Sequence, residues 1–202
     1  MYLDQQYPQP KLVPAGRENE MMRLLKHEDS LHVDLRNLTM RYLIPADVVG
    51  KSSEVLAKYR KYGSGTVLGE SDTRRPIELD YWERFNANGG VTDDEVRESS
   101  LRFREEFNAL EKILLKQNFL FGDLISLLDV AWFVYVTRMK LVSYPVKKLH
   151  PRLDAWYMDL KNRAEFAEET IVPKHLQVQL ADRRVRDTSN GKSLIQLAGF
   201  HV

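Results

Sequence analysis

The chain has 202 residues, of which 43% are apolar and 29% charged, enough for one soluble domain with a sizeable core. Its formal net charge of +1 sets up no general field for nucleic acid or an anionic membrane, and the lack of cysteine excludes disulfides and Cys-based zinc or redox sites. Asp4, Gln5 and Gln6 stand where a signal peptide needs an apolar core, and the longest apolar run, Val130 to Val136, falls far short of the roughly 20 residues that span a bilayer.

Residues 1–16 read as a linker, punctuated by Pro8, Pro10, Pro14 and Gly16. Leu24, Glu28, Leu31, Leu35, Leu38 and Tyr42 recur at three- and four-residue steps, which predicts helix from about Glu18 to Ile44, with a bend or restart near Asp29-Ser30. Pro45 ends it. A shorter helix is predicted over 52–62. Residues 63–90 are Gly-rich, charged and weakly periodic, and read as a long irregular connection with one short helix at 77–86. Thr92-Asp93-Asp94-Glu95 is a helix start, with Val96, Phe103, Phe107, Leu110 and Leu114 along one face to about Gln117.

A central helix is predicted from Leu127 to about Val142. Ser126 and Asp129 have capping-box spacing, and Ile125 and Val130 have the spacing of a hydrophobic staple. Pro145 prevents continuation. Pro151 suits the first turn of a further helix, with Leu153, Trp156, Tyr157 and Leu160 inward, and a short helix over 164–170 follows. Residues 173–202 read as a polar, basic tail whose Leu194–Phe200 end can dock back. No segment reads as a strand, so the fold class is all-α.

Most chemical constellations fail on geometry. His27 and His32 lie five residues apart, roughly 140° around a helix, so they do not form the metalloprotease pair. Gly63-Ser64-Gly65 with Gly69 has neither a preceding strand nor the Lys-Ser/Thr of a phosphate loop. The basic clusters Arg74-Arg75, Lys147-Lys148 and Arg183-Arg184-Arg186 read as solvated faces, not as a nucleic-acid site. No catalytic residue and no metal ligand is assigned.

Three segments carry a family resemblance. Phe119-Leu120-Phe121-Gly122-Asp123-Leu124-Ile125-Ser126 leads into the capped central helix. Tyr2–Pro8 with Leu12-Val13-Pro14 resembles a domain end and linker, and Leu149-His150-Pro151-Arg152-Leu153-Asp154-Ala155-Trp156 resembles the helix after the central one. Together they resemble, in order and separation, the C-terminal helical domain of glutathione transferases.

The resemblance implies a helical bundle over 17–172, with residues 1–16 as the remnant of a thioredoxin-like domain end. The rest of that domain, which binds and activates glutathione, is expected to be missing, leaving the chain inactive alone. The implied parent activity joins glutathione to a small hydrophobic electrophile, in a cytoplasmic homodimer without nucleic-acid or membrane partners. The acceptor is expected along Arg36, Thr39, Met40 and Leu43, with Arg36 holding an anionic group and an exposed apolar patch near Met40 and Leu43. The competing reading is a non-catalytic helical interaction module.

Overall fold

The computed structural model describes residues 11–44, 50–63 and 72–201, apart from the side chain of Glu169. Residues 1–10 of the expected 1–16 remnant, and the Ser64–Gly69 part of the glycine motif, lie outside the described residues. The described chain is a bundle of α-helices without a strand; one isolated bridge joins Phe119 to Gly122. No described helix is long and apolar enough to cross a membrane.

The restart near Ser30 divides the first helical run into α1 (Glu18–Asp29) and α2 (His32–Leu43). Ser30 closes α1: its hydroxyl donates to the His27 carbonyl at 2.6 Å. The next helices are α3 (Ser53–Tyr62), α4 (Arg75–Asn88) and α5 (Asp93–Leu114). Thr92 caps α5 as its sequence requires, the Glu95 carboxylate accepting from the Thr92 N–H at 2.8 Å. Then come α6 (Leu127–Leu141), α7 (Val146–Leu149), α8 (Pro151–Lys161), α9 (Ala164–Ala167), α10 (Lys174–Ser189) and α11 (Leu194–Ala198).

The core sits between α1–α2, α5, α6 and α8. Met21, Leu31 and Leu38 meet Phe103 and Phe107 of α5, Trp132, Val136 and Met139 of α6, and Leu153 and Leu160 of α8. Phe107 presents its ring edge-on to Trp132, Tyr144 and His150, with centroids 5.3–6.2 Å apart. Such pairs add roughly 0.5–1.5 kcal/mol each beyond the burial of their area.

The entry to α6 is the most heavily bonded point of the bundle. Ser126 and Asp129 meet in capping-box register: Asp129 makes the carboxylate side of the box, and its N–H donates to the Ser126 carbonyl at 3.1 Å. Asp129 Oδ2 accepts from the Ser126 N–H at 2.9 Å and from its hydroxyl at 2.6 Å. Oδ1 accepts from the Leu120 N–H at 2.8 Å and from the Trp156 indole N–H at 3.0 Å. Asp129 is wholly buried, so one carboxylate ties together the lead-in arm, the helix start and α8. The Leu127 N–H donates to the Leu12 carbonyl at 2.9 Å, which anchors the segment entering the bundle on the same helix end. The start of α8 has a distant cap: both Glu111 carboxylate oxygens, on α5, accept from the N–H groups of Arg152 and Leu153 at 2.9 and 2.8 Å.

Two regions differ from the expected boundaries. Within 63–90, α4 runs for 14 residues, longer than the short helix expected at 77–86. Pro76 suits its first turn, and Tyr81, Trp82 and Phe85 pack ring against ring, with centroids 5.1–6.1 Å apart. The expected tail is largely helical: α10 lies against α2, and α11 packs on α5. Ser193 caps α11, Leu194 and Phe200 are buried, and Phe200 lies edge-on to Tyr144.

Replacing Asp129 by Ala orphans buried donors on three separate segments, so its cost should reach about 3–5 kcal/mol, above an ordinary cap loss. Ser126→Ala and Trp156→Phe, which each leave the carboxylate other partners, should cost about 1–2 kcal/mol. The exposed substitution Glu105→Ala should stay within about 0.5 kcal/mol. Urea unfolding of the four variants checks the order; an Asp129→Ala no worse than Ser126→Ala would contradict it.

Candidate functional site

The four residues expected to line an acceptor site follow one stripe of α2 but meet different surroundings. The Arg36 guanidinium grips the Glu78 carboxylate of α4 through two hydrogen bonds, at 2.7 and 2.6 Å, and lies over the Tyr81 ring at 4.8 Å. Its charge is therefore answered inside the chain. Thr39 is buried, and its hydroxyl donates to the Leu35 carbonyl at 2.9 Å. Met40 and Leu43 are partly buried against the core. Strongly exposed apolar side chains include Leu124, at the arm before α6, and Ile171, which shares a cavity with Leu43. Leu43 alone of the four lines the main cavity described next.

That cavity, of about 760 Å³, lies where the end of α2, the second half of α6 and the start of α10 converge. Its volume falls within the roughly 300–1,000 Å³ usual for small-molecule sites. The walls are apolar: Leu43 and Ile44 after α2, Leu141 of α6, Ile171 and Val172 before α10, and Leu176 and Leu180 on it. The sequence of α6 explains this wall. The helix is apolar over most of its length, but the bundle covers only part of it; Val134 stays 44% exposed, and Thr137 and Leu141 face the cavity. A smaller cavity of about 240 Å³ shares Leu141 and Leu180 with it.

The polar lining is one-sided. Thr137 and Thr170 direct their hydroxyls to the carbonyls of Phe133 and Ala167 at 2.8 and 3.1 Å. Gln179, Arg183 and Arg186 supply the remaining polarity, and no carboxylate lines the cavity among the described residues. Arg183 is partly buried and donates to the Arg41 carbonyl at 2.6 Å; the Asp187 carboxylate reaches its Nε only at 4.0 Å. Burial holds the Arg183 guanidinium below its usual range; the Asp187 charge opposes this, and the Arg186 and Arg41 charges add to it. The α10 residues were hidden within an apparent basic tail. Their signal was there to read: Leu176, Gln179, Leu180, Arg183 and Arg186 share one helical face at three- and four-residue steps.

Two buried titratable groups lie elsewhere in the bundle. Glu28, on α1, hydrogen-bonds Tyr135 of α6; burial, helped by the adjacent Asp29 charge, pushes its carboxyl up to about 7 against the favourable effect of that bond. His150 is fully enclosed and pairs through Nε2 with the Tyr144 hydroxyl at 2.9 Å. Burial brings its imidazole down to about 4.

A family model described as "Glutathione S-transferase, C-terminal domain" matches residues 93–157. The match runs through α5, α6 and α7 and takes in most of α8, and with it the Asp129 junction. No curated protein and no solved structure matches the chain.

The two buried groups give pH dependences of opposite sign. The folded chain keeps the Glu28 proton up to about pH 7, whereas an unfolded chain releases it near 4.5, so this contribution to stability is lost as pH rises through 7. His150 takes a proton near 6.5 when unfolded and near 4 when folded, so its contribution is lost as pH falls from 6.5 towards 4. Glu28→Gln should therefore raise the urea midpoint relative to wild type at pH 8 more than it does at pH 4.5. An equal effect at both pH values would contradict a buried Glu28 charge.

Proposed function

We propose that this chain, which carries a glutathione S-transferase C-terminal domain, forms the acceptor side of a glutathione transferase-like protein. The cavity walled by Leu43, Leu141 and Leu180 receives a small hydrophobic electrophile. The observation that carries the reading is this drug-sized apolar cavity at the end of α2, the later half of the first long helical run, where the resemblance puts the acceptor. Leu43 and Ile44 are its α2-side wall.

Glutathione itself fits poorly on the described residues. The resemblance assigns it to a sheet-containing thioredoxin-like domain, and the described residues contain no strand and no counterpart of its thiol-activating group. In the parent reaction the glutathione thiolate attacks the electrophilic carbon, a C–S bond forms and the leaving group departs. The part of the present chain in that reaction is to hold the acceptor and exclude water from its apolar body. A cytoplasmic homodimer is the working unit in this reading, supported by the family resemblance.

The test has two arms on the purified chain: calorimetric binding of an uncharged aryl halide, and turnover of the same compound with glutathione. The aryl halide should bind, Leu43→Glu should weaken it at least about tenfold, by setting a carboxylate in an apolar wall, and conjugation should not exceed the uncatalysed rate. Circular dichroism confirms that the variant keeps its helices. Turnover well above background, or binding indifferent to Leu43→Glu, would overturn the reading.

A further inference from the structure

We infer that the main cavity selects an apolar ligand bearing one carboxylate, with the acid seated at Arg183 and Arg186 and the apolar body lying along Leu43, Leu141 and Leu176. The inference rests on the reading of this cavity as a small-molecule site and specifies what that molecule carries.

Positive charge is in excess at one end of the cavity. A cavity with satisfied hydroxyls and apolar walls would accept a neutral ligand, and this one has both. It also has two guanidiniums one turn apart on the same face of α10 and no carboxylate among its described lining residues. The cations nearby differ in what they already hold. Arg41 is engaged by the Asp93 carboxylate at 2.8 Å and by the Val91 carbonyl at 2.8 Å. Arg184 donates to the Leu141 carbonyl at 2.8 Å and lines the smaller cavity. Arg183 has one carbonyl partner and an acidic neighbour only at 4.0 Å, and no bond or ion pair holds Arg186 among the described residues.

A partly buried guanidinium whose nearest carboxylate stands 4.0 Å away is only partly compensated, and an incoming anion completes the compensation through charge-assisted hydrogen bonds. A planar carboxylate matches the guanidinium fork and can be shared between two of them. Arg183 is 23% exposed, so its contact is shielded from solvent ions, whereas Arg186 at the exposed rim adds attraction that salt weakens.

The probes are dodecanoate and dodecyltrimethylammonium below their micellar concentrations, and dodecanol below its solubility limit, at pH 7.5, titrated calorimetrically into the full chain, into Arg186→Gln and into Arg183→Gln/Arg186→Gln. Dodecanoate should bind at least about tenfold more tightly than dodecanol, as a charge-assisted pair would allow, and the cationic chain should bind most weakly. Arg186→Gln should reduce the acid's advantage and the double variant should abolish it, with dodecanol affinity unchanged throughout and helix content preserved. Equal binding of acid and alcohol would overturn the inference and leave the apolar cavity standing. A preference for the acid that survives the double variant would place the carboxylate elsewhere and overturn it too. Binding of none of the three would remove the cavity reading along with it.

Discussion

A single buried carboxylate sets the geometry of this bundle. Asp129 accepts four hydrogen bonds from three segments: the arm at Leu120, the helix start at Ser126 and the indole of Trp156 on α8. Each donor would be expensive to leave unpaired in the core, so the carboxylate fixes the relative position of all three. With that end of α6 locked, the helix must run through the bundle in one direction, and its far half, Thr137 to Leu141, emerges beside the end of α2. The cavity lies where the far end of α6 presents Thr137 and Leu141 beyond the packed part of the bundle. The segment at Ile171–Val172 and α10 complete the walls without filling the space.

Charge is distributed to the same effect. Several cations on the described helices are answered within the chain: Arg36 by Glu78, Arg41 by Asp93, and Lys140 by Asp154. These pairs pin α4 to α2, the start of α5 to α2, and α8 to α6. Surface pairs of this kind contribute little stability each; at the cavity the two guanidiniums of Arg183 and Arg186 have between them one acidic neighbour, Asp187, at 4.0 Å from Arg183. A domain whose apolar cleft carries cations at one end differs in kind from a purely apolar packing surface, because it distinguishes ligands by charge as well as by size.

The parts of the fold legible in the sequence are those governed by local spacing. Ser126 and Asp129 are three residues apart, Thr92 and Glu95 likewise, and Pro151 stands at a helix start, so caps and helix limits follow from the string alone. What the string hid depends on distant partners. The indole of Trp156 is 27 residues from Asp129, and the Glu111 carboxylate that caps α8 is 41 residues from Arg152. Arg36 reads as a free anion-binding group until Glu78, 42 residues on, is seen against it. Helix α4 was underestimated because Ile77, Leu79, Tyr81, Trp82 and Phe85 step unevenly, which blurs the period although the aromatic packing supports a full helix. In α10 the density of basic residues concealed a face in which Leu176 and Leu180 run into Arg183 and Arg186.

The claim on which the rest depends is that Asp129 holds Trp156 and the start of α6 as one unit, and the indole proton reports on it directly. Hydrogen exchange of the three tryptophan indoles, followed by NMR, separates Trp156 from Trp82, which lies on α4 away from this junction. The account predicts that the Trp156 Nε1 proton exchanges only through global unfolding, with the same denaturant dependence as the slowest amides of α6. An indole proton at Trp156 that exchanges through local fluctuations, well before those amides, would contradict it.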